Sequence, residues 1–190
     1  SYTGSIKDHA TEFVANFIKA QEHIEGLVLA STGNMGASEA AGMTFIEKNA
    51  HIFLPESTPQ WKIAKIEKFG GKVHVVKGNY DQAVIQAREF VQMNKKLIYG
   101  GETVLRLCGN ALIAKIIVDL LGDYPDFMFI PVGDGAQYYG FVVGFTSLIE
   151  KGYFSRVKRL PRLIGVQVDG ANPIYRSFRD RSGQIKPIVP

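Results

Sequence analysis

Residues 27–36 read LVLASTGNMG, and this stretch decides the fold. Leu27 to Ala30 is a short unbroken apolar run, the pattern of a strand buried on both faces. The loop Ser31-Thr32-Gly33-Asn34-Met35-Gly36 follows, and a small-residue helix is predicted from about Ala37 to Lys48. The same order recurs downstream. Asp126 to Val132 is apolar, Val132-Gly133-Asp134-Gly135-Ala136-Gln137 is a glycine loop, and another helix comes next. His51 to Leu54, Val73 to Val76 and Leu163 to Val168 also read as strands. Helices are predicted from about Gln60 to Phe69, from Tyr80 to Met93, and from near Gly109, while Lys95 to Leu107 reads mostly as loop. Ser5 to about Glu22 reads as a further helix, with Ser5 as N-cap and Asp8 completing a capping-box spacing. Apolar strands alternating with helices predict an α/β chain, its parallel-rich sheets flanked by helices. Ligands of such sheets bind at the carboxyl ends of strands, where both glycine loops lie.

The 190 residues suffice for one domain or two small ones, and 46% hydrophobic with 21% charged residues is an ordinary globular balance. The single cysteine, Cys108, rules out an intramolecular disulfide framework and fits a reducing, cytoplasmic setting. It reads as a buried thiol. Ala111 to Leu121 is the most apolar helical stretch. Lys115 and Asp119 interrupt it, and it is too short to span a bilayer, so it reads as a buried core helix. Arg156, Lys158, Arg159 and Arg162 form the densest basic cluster. No nucleic-acid motif accompanies them, which favours a solvated loop before a strand. His9, His23, His51 and His74 lack metal-ligand spacing and read as core or surface histidines; no metal is expected. The N-terminus opens on polar SYTGSIKDH, not on a secretory signal. The chain starts just before a helix and ends at KPIVP without a closing element, so it reads as a piece of a larger protein, incomplete at both ends.

Three segments could carry chemistry. Lys7, in Thr3-Gly4-Ser5-Ile6-Lys7-Asp8, sits in the first turn of a helix, where the dipole disfavours a cation and favours a neutral amine. Schiff-base chemistry needs that neutral amine. Ser31 to Gly36 opens a helix, where backbone N–H groups and the Ser31 and Thr32 hydroxyls suit a carboxylate. Gly133 to Gln137 also opens a helix, and such loops cradle phosphate.

Taken together, TGSIKDHA, STGNMGAS and PVGDGA resemble, in order and spacing, the tryptophan-synthase-like group of pyridoxal phosphate (PLP) enzymes, fold type II. STGNMGASEAAG, HIFLPESTPQWKIAKIEKFGGKVHVVKGNYDQA and LIGVQVDGANPIYRSF are most similar to threonine synthases. Around Arg106 those enzymes usually read close to RLEGQKT, where this chain has RLCGNAL. Met35 stands in place of a threonine, and Asp134 in place of Asn or Gly.

The resemblance implies a tryptophan synthase beta-like fold. Residues 1–98 would form part of the smaller N-terminal domain and 99–190 part of the larger C-terminal one. It implies that Lys7 carries PLP as a Schiff base, that Asn34 bonds the cofactor's phenolic oxygen, and that Gly133, Asp134, Gly135, Ala136 and Gln137 hold its phosphate. Ser31, Thr32, Gly33, Asn34 and Met35 would take the substrate carboxylate. The implied activity is that of a carbon–oxygen lyase converting O-phosphohomoserine and water to L-threonine and phosphate, in a full-length homodimer. The altered RLCGNAL segment leaves other readings open: a β-replacement enzyme, a phosphoserine-using synthase, a threonine or serine dehydratase, or a truncated non-catalytic paralogue.

Overall fold

The computed structural model describes residues 1–101, 103–154 and 159–186. Arg156 and Lys158 of the basic cluster, Glu102 in the 95–107 stretch, and the residues of KPIVP after Lys186 lie outside the described residues. The chain folds as two compact units, Ser1–Asn110 and Ala111–Pro190.

The first unit runs α1 (Lys7–Lys19), β1 (Gly26–Ala30), α2 (Asn34–Phe45), β2 (Asn49–Pro55), α3 (Gln60–Lys68), β3 (Lys72–Val76), α4 (Tyr80–Met93) and β4 (Leu97–Tyr99). Its sheet has the order β3-β2-β1-β4, and every pairing is parallel. Alternation along β1 explains why the apolar run is unbroken. Leu27 and Leu29 enter a core with Val14 and Ile18 of α1, Met43 of α2 and Ile66 of α3. Val28 and Ala30 point the other way, into a core with Ala83 and Ala87 of α4. Both sheet faces are therefore covered, as the sequence pattern required. The connection from β3 carries α4 across to the opposite face before β4 pairs on the far side of β1. The winding thus reverses beside β1, the position at which sheets of this kind bind ligands beyond the carboxyl ends of their strands.

Local chemistry sets several boundaries. Asn79 caps α4: its Oδ1 accepts from the N–H groups of Asp81 and Gln82, and Gln82 Oε1 accepts from the Asn79 N–H. At α1 the expected capping box is absent. The N-cap is Ile6, and Ser5 Oγ instead accepts from the Lys7 N–H at 3.2 Å. The Asp8 carboxylate is drawn away by other donors. α2 begins at Asn34, three residues ahead of the predicted start at Ala37, so Asn34 and Met35 lie in its first turn. β4 falls within the stretch read as loop, and a three-residue strand leaves little periodicity to read.

α5 (Val104–Leu121) starts before the predicted Gly109 and continues into the second unit. That unit also holds β5 (Phe127–Pro131), α6 (Ala136–Glu150), β6 (Arg162–Val166), a 3-10 turn at Asp169–Ala171 and α7 (Pro173–Arg179). β5 and β6 pair in parallel. Ile113, Ala114, Val118, Tyr124, Ile130, Phe141 and Phe145 form its core. The stretch 111–121 is not wholly buried, contrary to expectation: Leu120 is 81% exposed and Leu112 50%. Only the face bearing Ile113, Ala114 and Val118 is covered. Cys108 likewise proves exposed. Arg106, Gly109 and Asn110 point inward on the same helix, and the helical period turns residue 108 away from them. His51 and His74 meet across β2 and β3, Nδ1 to Nε2 at 2.9 Å, beside Phe53 and Phe90.

Among the described residues no helix is long and apolar enough to cross a membrane. No group of three or more His, Cys, Asp or Glu there could hold a metal ion.

Gly109 permits the closest backbone approach of α5 to α1, since a Cβ there would lie 2.6 Å from Ala10 Cα. Gly109→Ala must push the helices apart and should cost roughly 1–3 kcal/mol, the usual penalty of overpacking. Urea denaturation at neutral pH measures it, and an unchanged midpoint would contradict the packing described.

Candidate active site

Lys7 is the first residue of α1 and is half-buried. Its neighbour Asp8 holds the turn that carries it. Asp8 is 2% exposed. Its Oδ1 accepts from Thr3 Oγ1 at 2.5 Å and Ser38 Oγ at 2.8 Å. Its Oδ2 accepts from the Thr3 N–H at 2.9 Å and Ser1 Oγ at 2.7 Å. Burial alone would raise the Asp8 carboxyl, but these bonds from Thr3, Ser1 and Ser38 outweigh it and bring the group down to about 2. Ser38 lies on α2, one helical turn after Asn34. Asp8 therefore ties the Lys7 turn to the start of the helix that bears the STGNMG loop.

That loop leaves the carboxyl end of β1. Ser31 Oγ accepts from the Gly36 N–H at 2.9 Å and the Gly33 N–H at 3.4 Å. Gly33 is the N-cap, extended, with open space where a Cβ would stand. The opening N–H groups of a helix lack intrahelical partners. Ser31 takes the Gly36 donor, so the Asn34 and Met35 N–H groups remain positioned at the mouth. Asn34 Oδ1 accepts from Lys65 Nζ of α3 at 3.1 Å.

In the second unit, Gly133–Gln137 follows β5. Gly135, with φ +88°, is the left-handed N-cap of α6, a conformation that favours glycine. Ala136 and Gln137 are the first helical residues, and the Gln137 side chain is buried. Asp134 Oδ1 accepts from the Ala136 N–H at 3.0 Å, so its carboxylate already caps the helix. Gly133 faces open space. The structure thus links the turns of Lys7 and Asn34 within one unit, and it places the 133–137 loop on a helix start in the other.

Sequence reading missed two residues of the first unit. Glu39, next to Ser38, is 1% exposed, and neither of its oxygens has a hydrogen bond of ordinary geometry among the described residues. Burial pushes its carboxyl up to about 7, eased only in part by the Arg106 guanidinium and the Thr11 hydroxyl. Arg106 is itself buried and donates from Nη1 to the Gly101 carbonyl at 3.0 Å. A glutamate among small helical residues was the available signal.

These features define a pyridoxal phosphate enzyme of fold type II. Residues 1–189 match the family described as pyridoxal-phosphate dependent enzyme, and the chain belongs to it. Its cofactor is PLP. The chain is similar to threonine synthase of Methanocaldococcus jannaschii, 35% identical over 97% of this chain and 45% of that protein. Threonine synthase of a Synechocystis species is 31% identical over 92% of this chain and 45% of that protein. The chain therefore spans about half the length of the curated relatives it matches. Among solved structures, processed threonine deaminase isoform 2 of Solanum lycopersicum superposes with a TM-score of 0.77 at 25% identity, over 93% of this chain and 49% of that one. Maize serine racemase superposes at 0.83 with 15% identity, over 98% and 53%.

The residues fit the cofactor. Within the first unit a half-buried lysine at a helix start and a nearby helix N-terminus suit an aldehyde, and in the second unit a left-handed glycine opening α6 suits a phosphate.

Two buried carboxyls make opposite predictions. Asp8 titrates lower in the fold than in the unfolded chain. Its stabilisation is complete above about pH 4 and is lost as pH falls towards about 2, amounting to about 2 kcal/mol. Glu39 titrates higher in the fold, so stability should decline as pH rises from about 4.5 to about 7, by on the order of 3 kcal/mol. Urea midpoints across pH, for wild type against Asp8→Asn and Glu39→Gln, should show each variant flattening its own window. Parallel curves would refute the assignments.

Proposed function

We propose that the protein containing this chain is a threonine-synthase-like lyase that converts O-phosphohomoserine and water to L-threonine and phosphate. The observation that carries it is the Asp8–Ser38 bond at 2.8 Å, which holds the Lys7 turn against the helix whose first turn holds Asn34. The similarity to threonine synthases directs the choice of reaction.

PLP, when bound, supplies an electron sink for charge developing on an amino-acid carbon. Lys7 is the attachment point, and its place at the start of α1 favours the neutral amine that attachment needs. With substrate bound, Lys7 Nζ would serve as the base that takes a proton from the substrate carbon and returns it. The N–H groups at the Ser31–Met35 turn orient the substrate carboxylate, with Thr32 adding a hydroxyl at the mouth. Asn34 would bond the cofactor's phenolic oxygen. Gly133, Gly135 and Gln137 would contribute main-chain donors to the phosphate, while Asp134 accepts from the Ala136 N–H at the same helix start. Residues 1–98 and 99–190 are read as parts of the smaller and larger domains of this enzyme, which we place in the cytoplasm as a homodimer.

A second reading, threonine or serine dehydration, draws support from the superposition on tomato threonine deaminase. The RLCGNAL segment favours it too, because Cys108, Asn110, Ala111 and Leu112 offer no added cation for a substrate phosphate.

The test uses the full-length protein. Purified wild type should show a visible absorbance band from bound PLP, and Lys7→Ala should lose it. O-phosphohomoserine should release inorganic phosphate and yield threonine. Production of a keto acid and ammonia from threonine, without phosphate release from O-phosphohomoserine, would replace synthase with dehydratase. A band that persists in Lys7→Ala would remove Lys7 from the site.

A further inference from the structure

Lys65 makes a contact that the proposed reaction does not use. It lies on α3, which packs against α2 through Ile66, and it is half-buried. Its Nζ donates to Asn34 Oδ1 at 3.1 Å.

An ammonium has three donors and no acceptor, whereas a carboxamide has an acceptor on one side and donors on the other. A lysine facing Asn34 can therefore accept only one orientation of that amide. Oδ1 turns to Lys65, and the Nδ2 donors turn away from it. An exposed asparagine without such a partner can flip and present either its carbonyl or its amide group. The charge adds a second effect. A cation beside the opening turn of a twelve-residue helix meets the positive end of its dipole. That placement is unfavourable unless an anionic guest arrives to offset both.

We infer that Lys65 is a positioning residue of the site: it locks the Asn34 amide as a hydrogen-bond donor and adds positive charge that favours an anionic oxygen at the α2 N-terminus. The guest is a phenolate or carboxylate oxygen. The inference rests on the assignment of Asn34 to the cofactor and substrate site. Lys65 itself touches neither the reacting atoms nor, on this account, the cofactor.

The experiment uses the full-length protein and two readouts. In cofactor-free protein, the Asn34 side-chain amide is followed by NMR, with Asn34→Ala assigning its signal. Wild type should give one ordered pair of amide protons, and Lys65→Met an averaged, weakened one. The affinity for added PLP, followed by absorbance titration, should fall about tenfold in Lys65→Met, the loss expected for one charge-assisted hydrogen bond. Lys65→Arg, which keeps both charge and donors, should restore both readouts. A lysine that only stabilises α3 would change neither the amide signal nor, at temperatures where the variant is folded, the affinity. An ordered amide and unchanged affinity in Lys65→Met, with Lys7→Ala still abolishing the visible band, overturns the inference and leaves the site reading intact. A band surviving in Lys7→Ala overturns the site reading and takes this inference with it.

Discussion

The Asp8 carboxylate is the constraint on which the candidate site depends. A buried carboxylate is costly unless its lone pairs are filled, and here Thr3, Ser1 and Ser38 fill them. Charge-assisted bonds are among the stronger ones a fold can make. Three of these four come from the segment just before α1, so Asp8 folds its own N-terminal turn back onto itself. The fourth comes from α2. One carboxylate thus sets both the backbone path into Lys7 and the distance from that turn to the helix that begins at Asn34. A neutral side chain at residue 8 would loosen both, because neither Thr3 nor Ser38 has so strong an acceptor elsewhere in the turn.

The second constraint is the position of β1. It pairs with β2 on one side and β4 on the other, and it is fully buried along Gly26–Ala30. A side chain at Gly26 would place a Cβ 2.1 Å from the Asn49 carbonyl, so the pairing with β2 begins where only glycine fits. With helices on both faces, the open direction for the chain after Ala30 is the carboxyl edge. The STGNMG turn emerges there. Tyr80, first residue of α4, reaches the same edge and donates from its hydroxyl to the Ala30 carbonyl at 3.1 Å.

How much of this could be read in advance depended on the range over which each signal acts. α4 was legible to the residue, because Asn79 and Gln82 cap it locally and its apolar period is strong. β1, β2, β3, β5 and β6 were legible as apolar runs with ends off by one or two residues, as where Lys72 or Asn49 joins the ladder without an apolar side chain, while the three-residue β4 was not legible. The start of α2 was placed late because glycine and asparagine weigh against helix, while Ser31 Oγ, from outside the helix, accepts from the Gly36 N–H of its first turn. The Ser5–Asp8 spacing suggested a local cap, yet Asp8 is claimed by Ser38, thirty residues away in sequence, and no local pattern encodes that competition. Cys108 was misplaced for a related reason. Cysteine is usually buried, but Arg106, Gly109 and Asn110 fix which face of α5 turns inward. The Lys65–Asn34 contact and the burial of Glu39 beside Arg106 are equally non-local, and only the folded chain exposes them.

The two glycine loops look alike in sequence, yet their electrostatics differ. Both open a helix at the carboxyl end of a strand, so both present partial positive charge. At α2 the neighbouring side chain is a cation, Lys65, and the side chain bonded to the first-turn N–H is a neutral hydroxyl, Ser31. At α6 the cap is an anion, Asp134, which already occupies the Ala136 donor. Among the described residues the α2 turn has a cation beside it and no carboxylate bonded to its opening N–H groups, so a small monoanion would meet complementary charge there. The α6 turn is partly neutralised by its own side chain, so an anion there would rely on directed main-chain donors more than on net charge. The glycine at the left-handed position and the open space at Gly133 supply that direction. On the proposed assignment, the α2 turn would suit an incoming carboxylate and the α6 turn a group held by main-chain geometry.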